Sequence, residues 1–440
     1  MGRPAALFQE NNRQGNAASL MHQARHDKQI PALFTRAADN AIVSATRNLL
    51  LPIKKRYPEN AMSKLDTLLA QAGSRWDEKT GAISMPVYHS STFRHPGLGQ
   101  STGYDYSRTA NPTRGVLEQT LARAEGGEAA QAFTFASGLA AIDAVARLFK
   151  TGDRILVTED VYGGTFRLFE KIFRPYGIEA VYVNTADQAA VQQALNSNIA
   201  AVFLEVPSNP LLNVADICAI TDLARSKGAL TIVDNTFLTF CRQRPLELGA
   251  DIVVYSATKY LGGHDDVVAG VAITAKPELA EKIGFVQNAA GAILGPQDAW
   301  LLLRGLKTLP LRLAKQEYNA RVLAQWLSRH ERVSKVYYPG LSHHPGHDLL
   351  KRQASGFGAM LSFEVADANR IPAILAGVRV FMFAESLGGV ESLITFPSVQ
   401  THADIAPEVR ERLGINDRLL RLSIGIEDAE DLRQDLEQVL

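Results

Sequence analysis

The stretch TIVDNTFLTFCRQRPLELGADIVVYSATKYLGG, residues 231–263, decides the fold class of this chain. Two short apolar runs, at 230–233 and 251–255, are rich in Val and Ile and predict buried strands of a parallel sheet. Asp234 ends the first run, and Lys259 lies just beyond the second. The sequence therefore predicts a carboxylate and an amine at the ends of neighbouring strands.

Asp234 and Lys259 each have an ordinary interpretation as well as a functional one. A lysine after a strand is usually a solvated loop end, and Asp-Asn after a strand is usually a turn. Together they suit one cofactor, because a lysine can bind pyridoxal phosphate covalently while an aspartate keeps its ring nitrogen protonated. Ser256 and Thr258 flank the lysine with hydroxyl groups that can reach a phosphate. This stretch therefore predicts a pyridoxal phosphate site.

Three further candidate residues follow strand-like runs earlier in the chain: Ser137, Tyr162 and Asn209. The strand–helix alternation from about residue 130 to 270 predicts an α/β domain with a parallel sheet. Ligands of such sheets bind at the carboxyl ends of the strands, so one sheet edge can gather these residues. Each also has a plain alternative, as a packing turn, an aromatic at the core edge and a turn asparagine. No GxGxxG or Walker pattern occurs, which argues against nucleotide binding.

Composition excludes several function classes. The 440 residues are 46% apolar and 21% charged, the balance of a globular protein with two or three domains. Lys+Arg and Asp+Glu are equal at 46 each, so no overall basic field favours nucleic acid, and no apolar run is long enough to span a membrane. The two cysteines, Cys218 and Cys241, show no pairing motif and fit a reducing cytosol. We therefore expect a cytoplasmic enzyme without disulfides.

The loop SHHPGH, residues 342–347, offers three histidines. It has no neighbouring cysteine or paired acidic residue, so a solvated loop is favoured and no metal site is predicted.

Residues 1–61 form a basic segment without a clear hydrophobic period. It carries nine Lys and Arg against four Asp and Glu. An organelle-targeting segment is one interpretation, and a nucleic-acid arm is another, disfavoured because aromatic residues are few. We favour a third, a translated stretch upstream of a start at Met62, and predict an extension that is disordered or non-native.

The segment SATKYLGGH, residues 256–264, resembles the lysine signature of the Cys/Met-metabolism family of pyridoxal-phosphate enzymes. That family includes cystathionine γ-synthase, the cystathionine lyases and the O-acylhomoserine thiol-lyases, and the resemblance extends from about Met62 to Leu440. It implies the fold type I of pyridoxal-phosphate transferases, which is aspartate aminotransferase-like. This fold is α/β, with a mainly parallel sheet in a large domain and a smaller α+β C-terminal domain.

The resemblance also implies domain bounds. They are an N-terminal extension at 1–61, an N-terminal arm at 62–112, a cofactor-binding large domain at 113–317 and a small domain at 318–440.

The family resemblance implies a role for each candidate residue. Tyr162 covers the cofactor ring, and is also expected in the catalytic and substrate-binding sets, while Asn209 points at the ring oxygen. The phosphate is expected to be held by Ser137, Gly138, Leu139, Ser256 and Thr258 of one subunit and by Tyr106 and Arg108 of its neighbour. The last two residues lie in the irregular segment 97–114, whose ordinary interpretation is a surface loop.

Substrate contacts are expected from the C-terminal part of the chain. FAESLGGVESL, residues 383–393, places Glu385 and Ser386 at the pocket wall by resemblance, although a turn at a sheet edge would also explain it. Arg421 starts an apolar strand and therefore needs a partner. The resemblance implies that this partner is the substrate α-carboxylate, bound by two parallel hydrogen bonds.

The expected reaction is γ-replacement on O-acylhomoserine with cysteine to give cystathionine, and also with sulfide to give homocysteine. Lys259, once displaced by the amino acid, would remove the Cα proton and then a Cβ proton as general base. YDYSR and AESLGGVES resemble the cystathionine γ-synthase branch. The alternatives are cystathionine β- or γ-lyase activity and, more remotely, a non-catalytic cofactor-binding protein. The implied partners are small amino acids and copies of the same chain, as a tetramer formed by two dimers with shared sites.

Overall fold

A seven-stranded sheet and a five-stranded sheet organise the part of the chain that the structure describes. The computed structural model describes residues 64–440 except residues 75, 197 and 404. The predicted extension at 1–61 therefore lies outside the described residues. The apolar spacing of Leu65, Leu68, Leu69 and Ala72 also predicts a short amphipathic helix at 62–73, and its first two residues lie outside the described residues as well. That helix, α1, covers Leu65–Ala70.

The seven-stranded sheet is built from the strands β1 Gln131–Phe135, β2 Arg154–Thr158, β3 Glu179–Val183, β4 Ala201–Glu205, β5 Leu230–Asp234, β6 Ile252–Ser256 and β7 Gly270–Thr274. The helices of this part are α2 Pro112–Gly126, α3 Gly138–Ala146, α4 Gly163–Arg167, α5 Gln188–Leu195, α6 Ile217–Ser226, α7 Thr239–Arg242, α8 Pro277–Ala290, α9 Pro296–Leu306 and α10 Leu309–Leu327. Short helical turns cover Gly127–Ala129, Leu168–Phe173 and Arg174–Tyr176.

The strand order β1-β7-β6-β5-β4-β2-β3 is mainly parallel. Only β7 runs against its neighbours β1 and β6. The connection between β6 and β7 contains no helix, and a strand that returns without a crossover pairs antiparallel. The predicted α/β class with a mainly parallel sheet is therefore confirmed.

Both faces of the seven-stranded sheet are buried, and successive side chains of a strand alternate between the two faces. Leu156, Val202 and Val233 belong to one apolar cluster, whereas Val157 and Ile232 belong to a second cluster on the opposite face. Strands covered on both sides read as continuous apolar runs, which is why the sequence marked them so clearly.

The five-stranded sheet has the order β10-β11-β12-β9-β8 and is antiparallel except for β10 and β11. Its strands are β8 Val333–Tyr337, β9 Met360–Val365, β10 Met382–Phe383, β11 Leu393–Thr395 and β12 Leu419–Ser423. The accompanying helices are α11 His347–Gln353, α12 Ile371–Gly377, α13 Pro407–Leu413 and α14 Ala429–Glu437, with a short turn at Ala368–Arg370.

Two sequence expectations need correction. Arg421 lies in the middle of β12 and does not start it, because the apolar pair Leu419 and Leu420 extends the strand backwards. Tyr162 was expected directly after a strand-like run, but that strand, β2, ends at Thr158, and Tyr162 instead precedes α4. The predicted domain boundary between residues 317 and 318 falls inside the continuous helix α10. The domain bounds themselves stay a prediction.

Among the helices of the described chain, none is long and apolar enough to cross a membrane.

Candidate active site

Asp234 and Lys259 lie at the carboxyl ends of adjacent parallel strands. Asp234 is the last residue of β5 and is next to Val254 of β6 in the sheet. β6 ends at Ser256, and the Lys259 N–H donates to the Ser256 carbonyl at 3.1 Å, which closes a tight turn after the strand. The sheet thus brings the predicted carboxylate and amine to the same edge.

The Asp234 carboxylate is held by donors on one oxygen. The Thr236 N–H and hydroxyl both donate to Oδ1, at 3.0 and 2.6 Å. Burial raises the pKa of Asp234 to about 6, while these two hydrogen bonds act against the rise. The second oxygen, Oδ2, keeps its capacity to accept a hydrogen bond.

Glu205 is a buried carboxyl group that the sequence analysis did not include. It is 6% exposed, ends β4 and lies beside Asp234 in the sheet. Its Oε2 accepts the backbone N–H of Tyr162 at 3.0 Å. Burial, together with the charge of Asp234 beside it, raises the pKa of Glu205 well above its ordinary value. The sequence pattern that could have identified Glu205 is a glutamate at the end of the apolar run AVFLE, residues 201–205.

The turn between β1 and α3 forms a cradle for an anion. Ser137 caps α3, and its hydroxyl accepts the Ala140 N–H at 3.1 Å. The N–H groups of Gly138 and Leu139 begin the helix, where the helix dipole favours an anion. A Cβ on Gly138 would lie 2.9 Å from the Ser256 Cβ, so only glycine lets the helix start beside Ser256.

Thr258 supports the lysine turn through its hydroxyl group. Its Oγ1 accepts the Ala269 N–H at 2.9 Å and donates to the Ala269 carbonyl at 3.2 Å. Its predicted contact with a phosphate stays a prediction.

Tyr162 presents its ring at the sheet edge and is 40% exposed. The two glycines after it are required by close contacts. A Cβ on Gly164 would lie 2.4 Å from the Tyr162 ring, and a Cβ on Gly163 would lie 2.2 Å from the Thr401 carbonyl oxygen. Burial raises the pKa of the Tyr162 hydroxyl, with Arg167 opposing and Glu385 adding to the rise.

Arg421 is a buried cation held from two sides. Its Nη1 donates to Asn209 Oδ1 and its Nη2 to the Ser386 carbonyl, both at 3.0 Å. The side chain is 2% exposed, and its Nε has no partner among the described residues. Burial lowers the pKa of Arg421 to about 10, so the group stays charged at neutral pH. An unneutralised buried guanidinium with N–H groups to spare fits a carboxylate ligand.

Ser386 links this arginine to the lysine. Lys259 Nζ donates to Ser386 Oγ at 2.9 Å, and the backbone of Ser386 has a φ of 110°. That angle is strained for a residue other than glycine and is typical of functional sites. Burial, with the Arg421 charge adding to it, lowers the pKa of Lys259 to about 8. The exposed Glu385 acts against this shift.

Tyr106 and Arg108 lie on the surface of the single chain. Tyr106 is 46% exposed, and the Arg108 guanidinium lies 5.3 Å from its ring centre. Arg108 Nε donates to Asn288 Oδ1 at 3.3 Å. Their predicted contact with a phosphate of a neighbouring subunit's site stays a prediction.

These residues fit pyridoxal phosphate. Gly138 lets the start of α3 lie close to Ser256, so that helix N–H groups and the Ser256 hydroxyl can bind a phosphate. Asp234 Oδ2 can accept a hydrogen bond from a protonated ring nitrogen. Lys259 supplies a buried amine whose pKa is lowered, as covalent binding of the cofactor requires. In the described residues, no group of three or more His, Cys, Asp or Glu could hold a metal ion.

Comparisons with known proteins identify relatives that match most of this chain. The family model of the Cys/Met metabolism PLP-dependent enzymes matches residues 66–440. The cystathionine γ-lyase of Bacillus subtilis (strain 168) is 52% identical over 86% of this chain and 99% of that protein. The cystathionine β-lyase of Lactococcus lactis subsp. cremoris (strain MG1363) is 50% identical over 86% of this chain and 99% of that protein.

A solved structure extends the comparison to the fold. The cystathionine γ-synthase from Xanthomonas oryzae pv. oryzae in complex with cystathionine is 43% identical, with a TM-score of 0.84. The match covers 86% of this chain and 98% of that one.

Proposed function

Because this chain belongs to the Cys/Met metabolism PLP-dependent enzymes, we propose that it acts at the γ-carbon of a four-carbon amino acid, with cystathionine as product or substrate. It is a pyridoxal-phosphate enzyme of trans-sulfuration. The observation that carries the proposal is the contact of Lys259 and Arg421 with the same residue, Ser386, at 2.9 and 3.0 Å. It supports a base and a carboxylate clamp that act on one bound amino acid.

The lysine performs the proton transfers in this proposal. When bound, pyridoxal phosphate supplies a carbonyl carbon for the substrate amine and a ring that withdraws electrons. Lys259 would remove the proton from Cα, pass it to the bound cofactor so that its amine is neutral again, and then take one from Cβ. The electron pair left on Cβ would expel the group on Cγ with its bonding electrons. Asp234 balances the charge of the ring nitrogen, and burial beside Asp234 disfavours a second negative charge on Glu205. Ser256, with the start of α3, receives the phosphate.

The surroundings of Tyr162 support an amino-acid head group at the far end of the substrate. Arg167 and Glu385 have opposite charges and both act on the Tyr162 hydroxyl, and both are exposed. A site with both signs of charge is complementary to a zwitterion. Cysteine, as the nucleophile, is a zwitterion, and so is the amino-acid group at the far end of cystathionine. Sulfide is not a zwitterion.

Replacement and elimination are both open to this site, and we propose γ-replacement as the first candidate. In it, the cysteine thiol replaces the acyloxy group on Cγ of O-acylhomoserine, which leaves as a carboxylate, and gives cystathionine, as expected from YDYSR and AESLGGVES. Sulfide would give homocysteine. The second candidate is elimination from cystathionine. γ-Elimination, favoured by the 52% identity to a cystathionine γ-lyase, uses the proton transfers given above. β-Elimination, favoured by the 50% identity to a β-lyase, needs only the removal of the Cα proton and breaks the bond at Cβ.

A product assay on the purified holoenzyme tests the proposal. O-acetylhomoserine or O-succinylhomoserine with cysteine is expected to yield cystathionine. In parallel, cystathionine alone is supplied, and cysteine with 2-oxobutanoate, or homocysteine with pyruvate, is measured. Dominant release of 2-oxobutanoate or pyruvate would replace the first candidate by the corresponding lyase. No product in any arm would indicate a non-catalytic cofactor-binding protein.

The substitution Arg421→Lys is expected to lower kcat/KM about 100-fold while the visible absorption of the bound cofactor stays unchanged. Lysine keeps the charge but loses the planar pair of donors that matches a carboxylate. Arg418→Lys is the matched control, because Arg418 precedes the same strand, is exposed and pairs with the Glu364 carboxylate at 3.1 Å. An unchanged kcat/KM in Arg421→Lys would show that the carboxylate is bound elsewhere.

We further propose that the active form is a homo-oligomer, a tetramer of two dimers in which Tyr106 and Arg108 complete the neighbour's site. The exposed, mutually stacked pair on the arm supports this arrangement.

A further inference from the structure

The loop that follows β11 reaches the carboxyl ends of two strands of the seven-stranded sheet. Its residue Thr401 lies against Gly163, next to Tyr162. The following residue, His402, is fully buried, with 0% exposure, and lies against Asn209, which is 193 positions away in the chain. The loop therefore contacts both the turn that carries Tyr162 and the segment after β4.

The hydrogen bonds of His402 determine which ring nitrogen carries the hydrogen. Nε2 lies 2.9 Å from the backbone carbonyl oxygen of Asn209, which can only accept, so Nε2 is the donor. Nδ1 lies 2.8 Å from the Thr401 hydroxyl, which donates to it. Burial, with the nearby Arg421 cation adding to it, lowers the pKa of His402 to about 4. The ring is therefore a neutral, fixed donor at physiological pH.

Asn209 connects this donor to the arginine. Its backbone carbonyl accepts from His402, its backbone N–H is bound by the Glu205 carboxyl group, and its side-chain Oδ1 accepts from Arg421 Nη1 at 3.0 Å. Asn209 is 3% exposed, and an unpaired buried carbonyl is costly. Removing the His402 donor would therefore move Asn209, and with it the Arg421 guanidinium.

We propose that His402 is a positioning residue for substrate recognition, which holds Asn209 so that Arg421 meets the substrate α-carboxylate. This inference rests on the proposed role of Arg421 as the carboxylate clamp. His402 acts through Asn209 and Arg421, so its loss affects ligands that carry a carboxylate and spares those that carry only an amine.

Two small probes separate these cases. L-alanine and ethylamine share an amine on a two-carbon skeleton, and only L-alanine has the carboxylate. Their dissociation constants are measured from the ligand-induced change in visible absorption of the holoenzyme. The wild-type protein is expected to bind L-alanine about 100-fold more tightly than ethylamine, the value of two charge-assisted hydrogen bonds.

The variants His402→Ala and His402→Asn are expected to raise the Kd of L-alanine about tenfold and to leave the Kd of ethylamine unchanged. Asparagine is a matched control, because its amide nitrogen replaces Nδ1 and not Nε2. His402→Gln places an amide nitrogen at the position of Nε2 and is expected to restore most of the preference. A purely structural histidine would lower Tm in all variants without changing the ratio of the two constants.

An unchanged ratio in His402→Ala, or a His402→Gln variant no better than His402→Asn, overturns the inference. If these buried substitutions yield no holoenzyme, Thr401→Val decides, because it removes only the donor to Nδ1. The preference of this variant for L-alanine over ethylamine is expected to fall, and an unchanged preference again overturns the inference. A wild-type protein without any preference for L-alanine would instead refute the role of Arg421, and the inference with it.

Discussion

Replacing Lys259 by alanine is expected to lower turnover by about 10³-fold or more, the range lost with a general base, and to remove the covalent attachment of the cofactor. Nζ is the amine that the turn after β6 delivers to the sheet edge, where it donates to Ser386 Oγ at 2.9 Å. Its lowered pKa of about 8 keeps part of the amine neutral, and alanine provides neither a base nor a nucleophile.

Two measurements check this expectation. Turnover is measured in the assay described above, and the purified protein is reduced with borohydride and digested, so that a covalently bound cofactor can be found on a peptide. Wild-type protein should carry the cofactor on the peptide that contains Lys259, and the variant should carry none. Lys227→Ala is the control, because this exposed lysine contacts Asn196 at 3.3 Å. Normal turnover in Lys259→Ala would refute the whole assignment.

Mixing two inactive variants, Lys259→Ala and Arg108→Ala, is expected to restore about a quarter of the wild-type activity. In a statistical mixture about half of the dimers contain one subunit of each kind, and one of their two sites is then intact, since each subunit completes the other's site. The position of Arg108 supports this arrangement, because Arg108 contacts Tyr106 and Asn288 on the chain's surface. The phosphate site of the same chain is already formed by the start of α3 and Ser256.

The pair Lys259→Ala and Arg421→Ala is the control for subunit mixing. These two residues contact Ser386 of the same chain, so no mixed dimer regains a complete site and no activity should return. Recovery by the first pair alone would assign Arg108 to the partner's site. Failure of the first pair, in mixtures shown to exchange subunits, would mean that Arg108 serves its own chain's site or none.

The strands and the residues that follow them were predictable from the sequence. Both runs of the opening stretch are strands, with β5 ending at Asp234 as expected, and Lys259 follows β6. Strands buried on both faces leave continuous apolar runs, and the first polar residue after such a run marks the strand end. Parallel strands then bring these ends to one edge.

Two residues of the site were not predictable in this way. Glu205 reads as an ordinary end of an apolar strand, and its importance depends on β4 lying beside β5, which places it next to Asp234. His402 lies in the segment PSVQTHAD, which has no hydrophobic period. Its partner Asn209 is known only once the loop after β11 is placed on the other sheet.

The sequence by itself determined the α/β class, the cofactor chemistry and the positions of Asp234 and Lys259 at the strand ends. These depend on local patterns: the alternation of apolar runs and the residue types just after them. Only the tertiary structure decided which distant groups meet, such as Lys259 with Ser386, 127 positions apart, and His402 with Asn209. The physical reason is that a buried polar group must find a partner wherever packing places one, and packing between two sheets is set by the whole chain rather than by any local pattern.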